Sequence, residues 1–522
     1  MYKSVSLGLI ATVFIATLPA HRVMQEEGAD LNAEARHLLK EAAELANQIE
    51  SPSDRLMVFE HIASTSWRAG DKSTAAASFD NALKIVATLP QENPYQDIRE
   101  FYRAKIAVTR AELGDVEGAQ QTISPVKNDS EKSSALLFIA AAEARARKFD
   151  DAMQTALAIQ DSDNRDSAFR VIASQEADAG DTRGAAQLAH SIKNAEVRAA
   201  ALAHIAAASG NGASTDDAHN GMQEALVAAE QAEPSEDEGG RSGLAACMSE
   251  EPEEPRDRAL EAIAFTQADA GDAIGALETI NGMHDKAGKE NALATVAGTQ
   301  ARAGDFNGAR ASIALIGRDS CKTAALHDLV MAQFEAGNLG AALLVVEEMT
   351  DVSQKALTLA YLGQQVAKEG GSNSAVAILT RSREVAHQIP NDVDRALMLE
   401  EVAHSQAKIG SRDEAAKTLA EVAPLALASH ERKDDGWNSS LPVLAVKQAE
   451  IGDLVGAWNT FALVNKSDRE FVVQSVAQAR TEDGDIQGAQ AWAARQTSPR
   501  DKALALVGGA EGIVNRLKSE AR

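Results

Sequence analysis

A catalytic or metal-binding role for this 522-residue chain would have to rest on its 77 acidic side chains, 11 histidines and two cysteines. Their spacing supports neither. No HExxH, GxSxG, CxxC or P-loop string occurs. His37, His61, His190, His204, His284, His387 and His430 make no ligand cluster by spacing. Carboxylate pairs are common only because carboxylates are common, and acid–base catalysis needs two in a shared cleft. The strings Gly271–Gly275 and Gly304–Gly308 lack the Lys-Ser/Thr that a phosphate loop carries, and they recur along the chain. Cys247 and Cys321 lie 74 residues apart and read as two inert thiols, since a bridge would need closely placed Cα atoms. The expectation is therefore no catalytic residue, no cofactor and no metal.

Charge and composition narrow the remaining classes. Fifty-one basic against 77 acidic residues give a net charge of −26, which argues against nucleic acid and anionic lipid as partners. Aromatics make up only 4% of the chain, too few for base-stacking platforms. Twelve prolines among 522 residues, with abundant alanine, point to an all-α fold.

What must position any site is a repeat. With the glycine of recurrent Gly-Asp pairs as origin, twelve anchors follow: 70, 114, 147, 180, 213, 271, 304, 337, 370, 410, 452 and 484. The commonest step is 33 residues. Glycine fills ten anchors, with Arg147 and Ala213 placed by their neighbours. Alanine stands five residues after every anchor and seven before ten of them; Ile, Leu or Val stands eight before each. Apolar spacing at −11, −8, −7 and −4/−3 predicts a helix from about −16 to −2. Glycine ends it in a left-handed turn, and Asp at +1 caps a second helix. Small residues at −7 and +5 let the two axes approach closely. The unit is an antiparallel helix pair, and stacked pairs share one core.

The first helix also has a recurrent start. Ser or Asp at −17, such as Ser53, Asp163 and Ser320, reads as its N-cap. At −15 stands a basic residue in eleven of twelve units. A cation there opposes its own helix dipole. It is expected to reach the last carbonyls of the preceding helix or an inter-repeat Asp; a ladder gripping an acidic ligand is the competing reading.

With glycine at position fifteen of a unit, the pattern resembles the tetratricopeptide (TPR) repeat. Residues 257–289 carry the resemblance through Leu260, Ile263, Ala264, Gly271, Ala276 and Ile280. It covers roughly 53–500, with a period of 33 in place of 34, and Gln267, Gln300, Gln333, Gln406 and Gln448 where that family has Tyr. The resemblance implies a right-handed superhelix, an α-solenoid of about twelve pairs, whose first helices line a groove for proteins or peptides. Its groove positions fall at −13, −10, −6 and −3, which singles out Glu261, Phe265, His327, Met331, Phe334, Glu400 and His404. The Lys/Asn pattern that grips a chaperone's C-terminal carboxylate is missing.

The remaining segments are read by composition. Residues 1–20 look like a secretory signal, with Lys3, an apolar run from Ser6 to Leu18, and Pro19-Ala20. Export to the periplasm or cell exterior is expected, with an uncleaved anchor as the alternative. The expected divisions are 21–52, an N-terminal helix; 53–232, a first repeat block; 233–254, an acidic linker around a short helix at Leu244–Met248; 255–498, a second block; and 499–522, a capping helix. Signal, repeats and caps leave no room for a catalytic domain. The leading reading is an exported, non-catalytic, protein- or peptide-binding scaffold with a cationic or neutral partner. It acts as a monomer or a weak self-associate, with no nucleic acid and no membrane insertion. The competing readings are a self-associating envelope protein and, behind it, an enzyme or small-molecule binder in the groove.

Overall fold

A computed structural model describes residues 30–90, 97–210, 215–232, 254–432, 440–465 and 468–520. The expected signal at 1–20, most of the acidic insertion with Cys247 and the Leu244–Met248 helix, and the anchor Ala213 lie outside them. Among the described residues the regular structure is helical throughout, and no helix is long and apolar enough to cross a membrane.

The local rules of the repeat hold. Gly70, Gly114, Gly180, Gly271, Gly304, Gly337, Gly370, Gly410, Gly452 and Gly484 all have positive φ, and Arg147 adopts the same backbone at 58°. After the turn, Asp71, Asp115, Asp181, Asp272, Asp305, Asp453 and Asp485 each accept a bond from the N–H three residues on. The two alanine rows are inside: Ala264, Ala276, Ala297 and Ala309 are each wholly buried. One unit departs. Ala218 is half-buried, and the small residue set against Ala206 is Gly221, 3.0 Å from it where a Cβ would stand. The second helix there has slipped by about one turn.

The first helix starts earlier than its spacing suggests. Its cap is at −19, not −17: Ser51, Asn128, Asp161, Asp285 and Asp351 accept the capping bonds. The −15 cations reach back, as the dipole argument requires. Arg165 Nη1 donates to Ile159 O at 3.2 Å, Arg198 Nη1 to Ile192 O at 2.8 Å, and Arg395 Nη1 to Ile389 O at 2.8 Å. A neighbour at −14 works forward. Asp166 accepts from the N–H groups of Lys193 and Asn194, and Asp257 from those of His284 and Asp285.

Inside most pairs the −4 residue is polar and largely buried, with Val366 the apolar exception. Thr279 donates to Gln267 Oε1, Ser312 to Gln300 Oε1 and Thr460 to Gln448 Oε1, each at 2.7 Å. Arg110 Nη1 reaches Thr122 Oγ1 at 3.3 Å in the same way. This is why glutamine replaces the tyrosine of the TPR pattern. The glycine at +4 makes room: a Cβ on Gly308 would meet Gln300 Nε2 at 3.0 Å. The recurrent Gly-x-x-x-Gly is thus a turn glycine followed by a clearance glycine.

The helices fall into two compact units, 100–411 and the combination of 1–99 with 412–522. In 100–411, first helices pack on their own second helices and on the first helices before and after them. The other unit joins the ends of the chain. Helix Pro499–Glu520 buries Leu504, Leu506, Val507, Ala510, Ile513 and Val514. It packs between Arg469–Glu482 and Pro52–Arg68, tied by Arg500–Asp54 at 3.2 Å and Arg68–Glu511 at 2.8 Å. Gly508 and Gly512 leave no space for a Cβ against Gln474 O and Gln478 O, which allows a close helix crossing. Helix 30–46 lies beside it, with Leu38 Cδ1 3.4 Å from where a Gly509 Cβ would stand.

Candidate functional site

A first helix flanked on three sides keeps only a narrow stripe for solvent. In unit 100–411 that stripe is not the one expected. Position −10 turns into the seam between successive first helices: Ala203, Ala294 and Ala360 are buried there, and Glu400 is 1% exposed. Position −3 is also inside, as Ala301 and Phe334 show. Solvent instead reaches −13, −9, −6 and −2, where Phe101, Phe138, Phe265, Tyr361 and Glu335 stand. Glu400 is therefore corrected from groove-facing to interior, while Phe334, though mostly buried, still borders a recess. Phe265, 44% exposed, faces solvent as expected. Glu261, Met331 and His404 are half-buried.

Three of the seven expected residues converge. His327, Met331 and Phe334, from helix Asp319–Glu335, line a recess of about 530 Å³ with Tyr361, Gln365 and Lys368 of helix Val352–Lys368; Glu335 and Glu369 complete it. These two helices pack less closely than other successive first helices of the unit. The side chains in the two seams differ. In the preceding seam Gly298 offers no side chain, and Asp328 lies across it and pairs with Arg302 at 3.6 Å. In this seam the rings of His327 and Tyr361 stand tilted to each other, with centroids 6.1 Å apart.

The electrostatics of the recess are mild. His327 Nδ1 is bonded to Thr358 Oγ1 at 2.9 Å. Burial pushes its pKa below the ordinary imidazole value, against the pull of Asp328, so the ring is neutral at neutral pH. Burial likewise raises Asp328, opposed by Arg302 and His327. At the mouth, Lys368 Nζ donates to Gln365 Oε1 at 3.3 Å, with the carboxylates of Glu335 and Glu369 beside it. An apolar floor with a polar, net acidic rim suits a large side chain followed by a cationic or amide group.

The other expected residues do not join this recess. Glu261 and Phe265 sit on Pro255–Asp269, and Glu400 and His404 on Asp392–Lys408. The latter helix is tied to Val352–Lys368 by Gln364 Nε2 donating to Ser405 Oγ at 2.7 Å. Tyr361 and Phe138 stand at −9, one residue from the expected −10 row, and Phe101 stands on the expected −13 row without having been singled out. Among the described residues no three His, Cys, Asp or Glu side chains are grouped to hold a metal ion. Cys321 is buried, its thiol 3.5 Å from Asn291 Oδ1.

The exposed large apolar residues divide by helix. In unit 100–411 the exposed aromatics, Phe101, Phe138, Phe265 and Tyr361, are all on first helices. The exposed aliphatics Leu157, Ile274, Leu315 and Leu344 are all on or at the end of second helices.

Against solved structures the chain is similar, at low score, to several chains over most of its length. These include the yeast Tom70 (12% identity, 83% of this chain and 97% of that one, TM-score 0.25). Ton1535 from Thermococcus onnurineus NA1 is similar at 12% identity, over 72% of this chain and 99% of that one, TM-score 0.24. The APC/C hetero-tetramer Cut9–Hcn1 is similar at 11% identity, over 92% and 98%, TM-score 0.23. No protein-family profile and no curated protein matches the sequence.

Proposed function

We propose that this chain is a non-catalytic scaffold that binds a protein or peptide along the first-helix face of unit 100–411, anchored in the recess between His327 and Tyr361. The observation that carries this reading is the segregation of exposed aromatics onto that face. Tyr, Trp and Phe concentrate binding energy at interfaces because they bury much area with few rotatable bonds. The partner is an extended segment bearing an aromatic or long aliphatic residue next to Lys or Arg, in keeping with Glu335, Glu369 and the −26 charge. The same proposal puts the work in the periplasm or outside the cell, on the signal-like composition of residues 1–20.

Two measurements test the reading. Peptides selected from a random display library on the full chain should bind wild type and lose at least about ten-fold in affinity on Tyr361→Ala, equivalent to about 1.4 kcal/mol. Leu344→Ala, on the opposite kind of helix, should bind as wild type. Equal losses, or no selectable binder, would count against the groove. Mass spectrometry of the chain from fractionated cells should find the mature N-terminus at or near residue 21.

A further inference from the structure

Helix 30–46 is the second helix of a repeat whose first helix is at the other end of the chain. Its buried row matches that of helix Lys72–Thr88 at a constant offset: Ala35, Leu39 and Ala42 stand where Ala75, Phe79 and Ala82 stand. Its partner, Pro499–Glu520, keeps the first-helix register. Position 517 lies one 33-residue step past Gly484, which puts Lys502 at −15 and Ala510 at −7. The two halves meet where Leu38 Cδ1 lies 3.4 Å from the place a Gly509 Cβ would occupy, and through Glu41 Oε1 with Lys502 Nζ at 3.4 Å. Gln490 Nε2 donates to Glu34 Oε1 at 2.7 Å from the neighbouring second helix.

We propose that the groove on helix 499–520 accepts helix 30–46 from a second copy of this chain as well as from its own, so that two copies exchange the helix and form a reciprocal dimer. The inference does not rest on the peptide-binding reading. The contact is an ordinary helix-pair face with no covalent tie across it, and helix 30–46 is linked onward only through residues 47–51. It is also made long before its partner. Until 499–520 exists, the face of helix 30–46 that carries Leu38 and Glu41 lacks that partner, and another copy's finished groove is complementary to it. The chemistry of the groove is selective: a small residue opposite leucine, and a lysine opposite glutamate one turn away.

The experiment uses two full-length chains, both carrying Cys247→Ser. One bears Glu41→Cys and a tag, the other Lys502→Cys and a different tag. They are mixed unfolded, refolded together and treated with a short bismaleimide. The expected product is a covalent heterodimer carrying both tags, in a yield that rises with protein concentration and disappears when the first chain also carries Leu38→Glu and Leu39→Glu. Monomers alone at every concentration, or a heterodimer that survives the two glutamates, overturns the proposal. Should refolding fail, a fluorescein-labelled peptide of residues 30–50 is titrated into native full-length Leu39→Glu protein. Binding at least ten-fold tighter than to wild type, whose groove is filled, supports exchange. Equal or absent binding refutes it.

Discussion

Ser312 donates its hydroxyl to Gln300 Oε1 at 2.7 Å in the dry interior of one helix pair, both residues being nearly inaccessible. Removing one partner strands the other without water, so Gln300→Ala should cost about 1–3 kcal/mol. Ser312→Ala should cost about the same. The double variant should cost less than the sum, which a denaturant-melt cycle of the four proteins measures. Strict additivity would show that the bond does not hold the pair.

Arg147 stands where ten other units have glycine and carries a φ of 58°. An L side chain pays for that backbone, and glycine does not. Arg147→Gly should raise stability by about 1 kcal/mol, while Gly304→Ala, at φ 83°, should lower it by a similar amount. A loss on Arg147→Gly would mean that the arginine holds its turn by contacts of its own.

Glu143 occupies the −4 position that is glutamine in the units of Gln267, Gln300 and Gln448, and it is fully buried. Burial raises its pKa, with the Asp151 charge adding and bonds from Thr155 and Gln120 opposing. A carboxyl whose folded pKa lies above its unfolded value contributes stability that is complete below the unfolded value, about 4.3. That contribution is lost as pH rises through the folded value. Glu143→Gln should therefore melt like wild type near pH 4 and higher than wild type at pH 7–8. Melting curves across that range check the sign; a variant less stable at pH 8 would contradict it.

The −15 cations are structural on this account. Arg198→Gln loses charge-assisted bonds to Ile192 O and Lys193 O and should cost about 1 kcal/mol or more. Peptide affinity at the Tyr361 recess should stay unchanged. A stable variant with weakened binding would revive the ligand-ladder reading.

How much of this was readable beforehand follows from how local each signal is. The turn glycines and the alanine rows are set within one helix pair, the −15 cations reach only to the end of the helix just before, and nearly every copy restates them, so spacing alone exposes them. The open stripe is not local. Whether −10 or −9 faces solvent depends on how closely neighbouring first helices pack, and Glu400 was misplaced for that reason. The split repeat had a signal in Lys502 and Ala510, but position 517 is leucine, so a search anchored on turn glycines passed over it. Tyr361 was overlooked although it lies one row from His327, because the TPR pattern names other rows.

The central claim is that the first-helix face of 100–411 is where a partner lies. Amide hydrogen exchange of the full chain, with and without a saturating selected peptide, tests it without altering a residue. Protection should appear in helices 319–335 and 352–368 and extend along the first helices toward Phe265. Protection confined to second helices such as 339–347, or no change anywhere in 100–411 at saturation, would contradict it.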